Sequence, residues 1–151
     1  MRIFRLPVGV LVAVLLTWFW SAPISAQRLS AAGNPLELVR LNRVVVEAEV
    51  VSSLDKIYLG LGGRRHLKAG TGMLFLMPAM AWQQFCMRGM LIPIDIIWIA
   101  TDRVVGWHSN LSPQDQGTFT SPGPVNYVLE VPAGFVAQAG IRIGDRVQIG
   151  P

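Results

Sequence analysis

The chain has 151 residues, of which 52% are hydrophobic and only 15% are charged, a composition that suits one globular domain. It carries 13 basic and 9 acidic residues, and its formal net charge of +4 reflects a shortage of acids more than a basic patch. We therefore expect no nucleic-acid partner, because such binding needs dense positive charge with stacking aromatic rings beside it.

A signal peptide is predicted over residues 1–26. Arg2 and Arg5 provide a positive start, and the uncharged, mostly apolar run that follows is shorter than the roughly 20 residues of a membrane-spanning helix. Small residues lead up to Ala26, after which we expect cleavage. Cleavage would export the protein to the periplasm or the medium and would lower its net charge by two. An uncleaved anchor is the alternative, and membrane contact is expected only in that case.

The mature chain is predicted to start with a mobile leader of small residues over 27–35. Two strands follow over 36–41 and 44–51. The second strand has one wholly apolar face and one face with two glutamates, which indicates a half-buried strand. Two serines before Leu54 predict the start of a short helix over 54–61, and glycines end it.

Six further strands and one helix are predicted in the rest of the chain, most of them joined by connections of hairpin length. They cover residues 73–77, 82–88, 93–100, 104–108, 127–131, 133–139 (the helix) and 146–149. A loop rich in serine, proline and glycine is predicted over 109–124. We therefore expect an α+β, mainly β fold in a single domain over 36–151. Its small antiparallel sheet should have about seven or eight short strands, curled or closed into an open barrel, with two short helices.

Several short blocks between residues 60 and 147 follow one another in a set order. They are Gly60-Leu61 with Arg64 and Leu67, Gly72-Met73-Leu74-Phe75, Phe85-x-Met87-Arg88, Ile92-Pro93-Ile94-Asp95-Ile96, Ser121-Pro122-Gly123-Pro124, Tyr127-Val128-Leu129-Glu130, and Gly134 with Ile141-x-Ile143-Gly144-Asp145. This ordered set resembles the family catalogued as domain of unknown function 192, small bacterial and archaeal proteins that are often exported. The resemblance implies a compact, β-rich domain behind a signal peptide, and it implies no reaction.

The chain departs from that family where Phe85-Cys86-Met87-Arg88-Gly89-Met90 stands in place of Phe-Trp-Met-Lys-Asn-Thr. A site that the family builds from its Trp, Asn and Thr side chains therefore does not carry over to this chain by resemblance. Cys86 is the one cysteine, and its apolar neighbours Phe85 and Met87 predict a buried, inert thiol. The two histidines and the cysteine lack metal-ligand spacing, so we expect no metal and no cofactor.

Arg88 and Asp95, two charges set into apolar sequence, are the sharpest candidates for a site. A buried carboxylate must be paired or protonated, and Arg88 and Arg64 are the cations of the family blocks. One interpretation of Asp95 is a structural ion pair or a turn cap. The other is a polar cleft with Arg64, Arg88 and Asp95 on its floor. The protein would then be a non-catalytic module that binds a small ligand, a glycan or an envelope protein in this cleft. Glu130, at a strand end, joins such a site or has a simple structural role.

A small hydrolase is the alternative function. The predicted hairpin would bring Asp95 near His108, and a serine such as Ser109 or Ser121 would serve as the nucleophile. The chain has no nucleophile elbow and no triad spacing, and a surface position is the simpler interpretation of His108. Enzymatic activity is therefore left open and is not favoured.

A third possibility is a structural domain whose partner surface lies on the predicted 109–124 loop. Trp82, Trp98 and Trp107 are interpreted as core residues, which is the common use of tryptophan. A sugar-binding face is the alternative role for these rings, because aromatic faces stack on apolar faces of ligands.

Overall fold

The computed structural model of the protein describes residues 27–150, so the predicted signal peptide lies outside the described residues. Within this range the chain forms nine strands and two short helices. In chain order they are β1 (Leu36–Leu41), β2 (Val44–Val51), α1 (Leu54–Leu59), β3 (Thr71–Ala81), β4 (Gln84–Cys86), β5 (Ile94–Ala100), β6 (Arg103–Leu111), β7 (Thr118–Thr120), β8 (Val125–Pro132), α2 (Phe135–Ala139) and β9 (Val147–Ile149). Neither of these helices is long and apolar enough to cross a membrane.

Seven of the strands form one sheet in the order β6-β5-β8-β3-β2-β1-β9. Neighbours in this sheet are antiparallel except for β2 and β3, which run parallel. Parallel neighbours need a crossover connection, and α1 with the loop after it supplies one. The other two strands, β4 and β7, pair with each other in a separate antiparallel ribbon. The predicted mainly β fold is confirmed.

The large sheet curls into a half-barrel, and its two edge strands are tied together at one end. Arg103 at the start of β6 and Arg146 just before β9 form an antiparallel bridge. Beside it, the N–H of Val104 donates to the carbonyl oxygen of Asp145 over 3.0 Å, and the N–H of Gly144 donates to the carbonyl oxygen of Val104 over 2.8 Å. These bonds satisfy backbone groups that an open edge would leave without partners.

Apolar side chains cover both faces of the sheet, so β5 is buried on each side. Ile97 and Ile99 belong to a cluster that α2 covers with Val136. Ile96 and Trp98 belong to a second cluster on the opposite face, which α1 and the β4–β7 ribbon cover. Because side chains alternate along a strand, a strand buried on both faces has an apolar sequence with little alternation. Asp95 is the only charged residue within β5.

Several predicted boundaries differ from the observed ones, and the largest differences are in two segments. β3 continues through Pro78 to Ala81, beyond its predicted end at residue 77. Its last residues are exposed, where the missing N–H of a proline costs little. The predicted 109–124 loop is partly regular, because β6 continues into it and β7 forms around Phe119. The ring of Phe119 packs against the second cluster, which explains why this segment folds onto the domain.

Candidate functional site

A cleft of about 320 Å³ opens on the face of the sheet that carries the second cluster, between α1, β3 and β4. Its walls are mainly apolar and include the rings of Tyr58, Phe75 and Phe85. Glu130 from β8 and Arg88 from the segment after β4 add a carboxyl and a guanidinium. We refer to it as the Glu130 cleft. A concave, mainly apolar site with a few polar groups is the usual form of a small-molecule binding site.

Glu130 lies on the floor of this cleft. β8 places it between Met73 of β3 and Ile96 of β5, its cross-strand neighbours. Only 5% of the residue is exposed, and within residues 27–150 its Oε2 atom has no hydrogen-bond partner. Burial raises the pKa of Glu130 to about 8, so the carboxyl is mostly protonated at neutral pH.

Glu130 occupies a position of β8 at which the alternation of side chains predicts an apolar residue. Val128 and Glu130 are two residues apart and share the face that packs on the second cluster. Gly60 packs over the carboxyl, since a Cβ added there would lie in contact, 3.8 Å from Glu130 Oε2 and 3.5 Å from Cζ of Phe75. A buried acid without a partner at the end of an open cleft is typical of a site and not of a core.

Arg88 supplies positive charge at the mouth of the cleft. Its Nη1 atom donates a hydrogen bond to the hydroxyl of Tyr58 over 3.2 Å, and both side chains are exposed. Among the described residues, no carboxylate lies within ion-pair distance of Arg88. The guanidinium is therefore available to an anionic group of a ligand.

Asp95 is fully buried, as its apolar neighbours predict, but its partners are backbone N–H groups. Its Oδ1 atom accepts from Asn110 over 2.7 Å and from Gly134 over 3.0 Å, and Oδ2 accepts from Val136 over 2.9 Å. Three such donors satisfy a buried carboxylate without a cation. Of the two predicted structural roles, the ion pair with Arg88 is wrong and the turn cap is the one that the structure shows. Asp95 caps the start of α2 and does not line the Glu130 cleft.

His108 is half-buried beside Trp98 and not on the open surface. Its Nδ1 atom accepts a hydrogen bond from Nε1 of Trp98 over 3.0 Å, and its ring meets Phe119 with centroids 5.3 Å apart. Burial lowers the pKa of His108, which favours the neutral ring that can accept this bond. His108 pairs with Ile96, whereas the adjacent Asp95 points to the other face of the sheet. The predicted Asp95–His108 dyad does not form.

Neither serine considered as a nucleophile completes a catalytic group. The hydroxyl of Ser121 donates to the carbonyl oxygen of Gly123 over 2.7 Å and accepts from the N–H of Gln83 over 3.0 Å, so it secures a turn. Ser109 is exposed on β6. Within residues 27–150, no three His, Cys, Asp or Glu side chains form a group that could hold a metal ion. The hydrolase hypothesis thus lacks the geometry that it needs.

Arg64 is bound to Glu49 of β2, outside the Glu130 cleft. Its Nη1 and Nη2 atoms reach the two carboxylate oxygens over 2.5 and 2.8 Å. Asn34 and Ser30, from the predicted leader, donate to the same carboxylate over 2.8 and 2.9 Å. Burial tends to raise the pKa of Glu49, but these hydrogen bonds hold it below its usual value. Arg64 therefore holds the loop after α1 against the sheet and does not line the Glu130 cleft.

Cys86 and Tyr58 are cleft residues that the sequence did not indicate. Cys86 is exposed, so the prediction of a buried thiol is wrong. It lies on β4, which pairs only with the short β7 and leaves the thiol uncovered. Tyr58 is 82% exposed on α1, where no periodic pattern identifies it. Among the tryptophans, Trp98 is buried, Trp107 is half-buried and Trp82 is exposed.

A family model matches residues 37–149, and the chain belongs to that family, DUF192, described as Uncharacterized ACR. The predicted family is thus confirmed. The chain is also similar to two proteins with crystal structures. One is a protein of unknown function from Novosphingobium aromaticivorans DSM 12444, 30% identical, with a TM-score of 0.76 over 83% of this chain and 94% of that chain. The other, from Sinorhizobium meliloti 1021 and described as a candidate transcription regulator, is 28% identical, with a TM-score of 0.73 over 77% of this chain and 95% of that chain. No curated protein matches the chain.

We expect Asp95→Asn to lower the free energy of unfolding by about 2 to 4 kcal/mol, because the amide nitrogen would face a backbone N–H in place of an acceptor oxygen. Asp102→Asn is the control, since Asp102 is partly exposed and its nearest arginine nitrogens lie at 3.5 and 3.7 Å. It should cost less than about 1 kcal/mol. Urea unfolding at pH 7 measures both values. Equal losses would show that the three N–H bonds do not hold the fold.

Glu130 should make the protein less stable as the pH rises. Its pKa is about 8 in the folded protein and 4.5 ordinarily, so the stability it contributes is complete below pH 4.5 and is lost as the pH rises through 8. Between pH 5 and pH 8 the wild-type protein should lose about 3 to 4 kcal/mol that Glu130→Gln retains. Urea unfolding of both proteins at both pH values measures this difference. An identical pH dependence would contradict a buried, unpartnered carboxyl.

Proposed function

We propose that the protein is an exported, non-catalytic binding module, and that the Glu130 cleft holds a small ligand with an apolar body and a polar end. The observation that carries this proposal is the unpartnered carboxyl of Glu130, buried at the floor of an open cleft. Keeping such a group costs stability, and a ligand that hydrogen-bonds to the carboxyl would offset that cost. Export rests on the predicted signal peptide over residues 1–26.

The size and walls of the cleft support a ligand of one ring or a short chain. Its volume of about 320 Å³ is at the lower end of the range for small-molecule sites. The half-buried ring of Phe85 offers an aromatic surface to the ligand body, and the buried ring of Phe75 supports it edge to face with centroids 5.0 Å apart. Arg88 and Tyr58 at the mouth can bind a polar group that stays near solvent. A glycan or an envelope protein is less favoured, because the unsatisfied group is buried at the floor of a cleft of only about 320 Å³.

Binding is favoured over catalysis because the groups considered for hydrolysis lie apart. Asp95 and His108 are on opposite faces of the sheet, and Nδ1 of His108 is occupied by the indole N–H of Trp98. What supports a polar cleft near Arg88 is the position of Glu130 on its floor. Arg64 and Asp95, which we expected there, do not line it.

Three probes with the same phenyl ring and different ends test this proposal: benzoate, benzamide and benzylamine. At least one of them should bind with a Kd of about 1 mM, the affinity expected for so small a molecule. Its binding should shift the backbone amide NMR signals of Gly60, Phe85 and Glu130, which line the cleft.

Two tryptophan variants provide the control for this titration. Cys86→Trp should abolish probe binding, because the indole would fill the cleft from an exposed wall position. Gln116→Trp adds the same ring at an exposed position outside the cleft and should leave binding unchanged. Failure of all three probes to bind, or equal binding by Cys86→Trp, would contradict the proposal.

A further inference from the structure

We infer that the Glu130 cleft recognises an uncharged donor–acceptor group, of which a carboxamide is the simplest, and not an ammonium cation. This inference rests on the proposed function, since it names the chemistry of the ligand end that enters the same cleft.

The surroundings of the Glu130 carboxyl offer nothing that would compensate a negative charge. β3 contributes Met73 and Phe75, β5 contributes Ile96, and Gly60 lies over the carboxyl at the end of α1. Besides Glu130, the titratable or charged groups that line the cleft are Tyr58, Cys86 and Arg88, all of which are exposed. The floor of the cleft therefore favours the protonated carboxyl.

A protonated carboxyl presents an O–H donor beside a carbonyl acceptor. A carboxamide presents the complementary pair, an N–H and a carbonyl oxygen, so two hydrogen bonds can form side by side without burying a charge. An ammonium group would require the carboxyl to lose its proton and would bury two charges, and Arg88 at the mouth would repel it. A carboxylate would use only the O–H donor and would bring an anion into an apolar floor.

The pH dependence of binding distinguishes these ligands. Burial raises the pKa of Glu130 to about 8, so the O–H donor is present below that pH and is lost above it. Carboxamide binding should be constant up to neutral pH and should weaken about tenfold by pH 9. Binding of an ammonium group should change in the opposite direction, because it strengthens as the carboxyl ionises.

The experiment compares benzamide, benzoate and benzylamine at pH 6.5 and pH 9.0 by NMR titration of the protein. At pH 6.5 benzamide should bind at least about tenfold more tightly than benzylamine, and its affinity should fall about tenfold at pH 9.0. The three probes share one ring, so differences among them report the end group alone.

Two variants at position 130 test whether the carboxyl is responsible. Glu130→Gln keeps a donor beside an acceptor but cannot ionise, so benzamide should bind it equally well at both pH values. Glu130→Leu offers no hydrogen bond and should bind benzamide at least about tenfold more weakly than the wild type at pH 6.5. The dispersed amide NMR spectrum of each variant checks that it is folded before the titration.

The possible outcomes separate this inference from the proposed function. Tightest binding of benzylamine or benzoate, or a benzamide affinity that is equal at both pH values in the wild type, would overturn the carboxamide assignment while leaving the binding function in place. Unaltered benzamide binding by Glu130→Leu would also overturn the carboxamide assignment and leave the binding function in place. Failure of every probe to bind in the cleft would overturn the proposed function, and the inference with it.

Discussion

Three backbone N–H groups that converge on one buried carboxylate hold the centre of this structure together. Asp95 lies on β5, and its donors belong to the end of β6 and to the start of α2. Because β5 is buried on both faces, a charge within it must be compensated by the protein and not by water. These bonds place α2 over one face of the sheet, and the opposite face is left to α1, the β4–β7 ribbon and the cleft between them.

The neighbouring strand carries a second buried acid that receives no such donors. Glu130 pairs with Ile96 in β5, so its side chain lies on the face opposite to that of Asp95. On the Asp95 face the start of α2 supplies N–H groups, whereas on the Glu130 face the neighbours include Met73, Ile96 and Gly60, and none of the described residues donates to Oε2. Both acids are buried, at 0% and 5% exposure, and they differ in the supply of donors. One therefore serves the fold, and the other is left without a partner.

Local sequence patterns were sufficient to predict most of the fold. The alternation over 44–51 corresponds to β2, and the turn signals around residue 102 correspond to the β5–β6 hairpin. The burial of Asp95 also followed from its apolar neighbours. Its partners could not be predicted from local pattern. The N–H of Asn110 comes from the neighbouring strand β6, 15 residues away, and those of Gly134 and Val136, 39 and 41 residues away, are brought near by the packing of α2.

The same limit applies to the cleft. Glu130 was recognised as a candidate, but a position at a strand end suggested a structural role. β8 continues to Pro132, which places Glu130 in the interior of the strand and explains its burial. The pairing of Arg64 with Glu49 depends on the course of the loop after α1. The alternation in β2 predicted the face on which Glu49 lies, but it did not indicate which cation would reach that face.

The protonation of Glu130 tests the central claim most directly. We would follow the ¹³C NMR shift of its side-chain carboxyl carbon during a pH titration of the ligand-free protein. A carboxyl that is buried without a partner should titrate with a midpoint at about 8. A midpoint near the ordinary value of 4.5 would show that water or another group satisfies this carboxyl, and it would contradict the buried, unpartnered acid on which the proposed binding site depends.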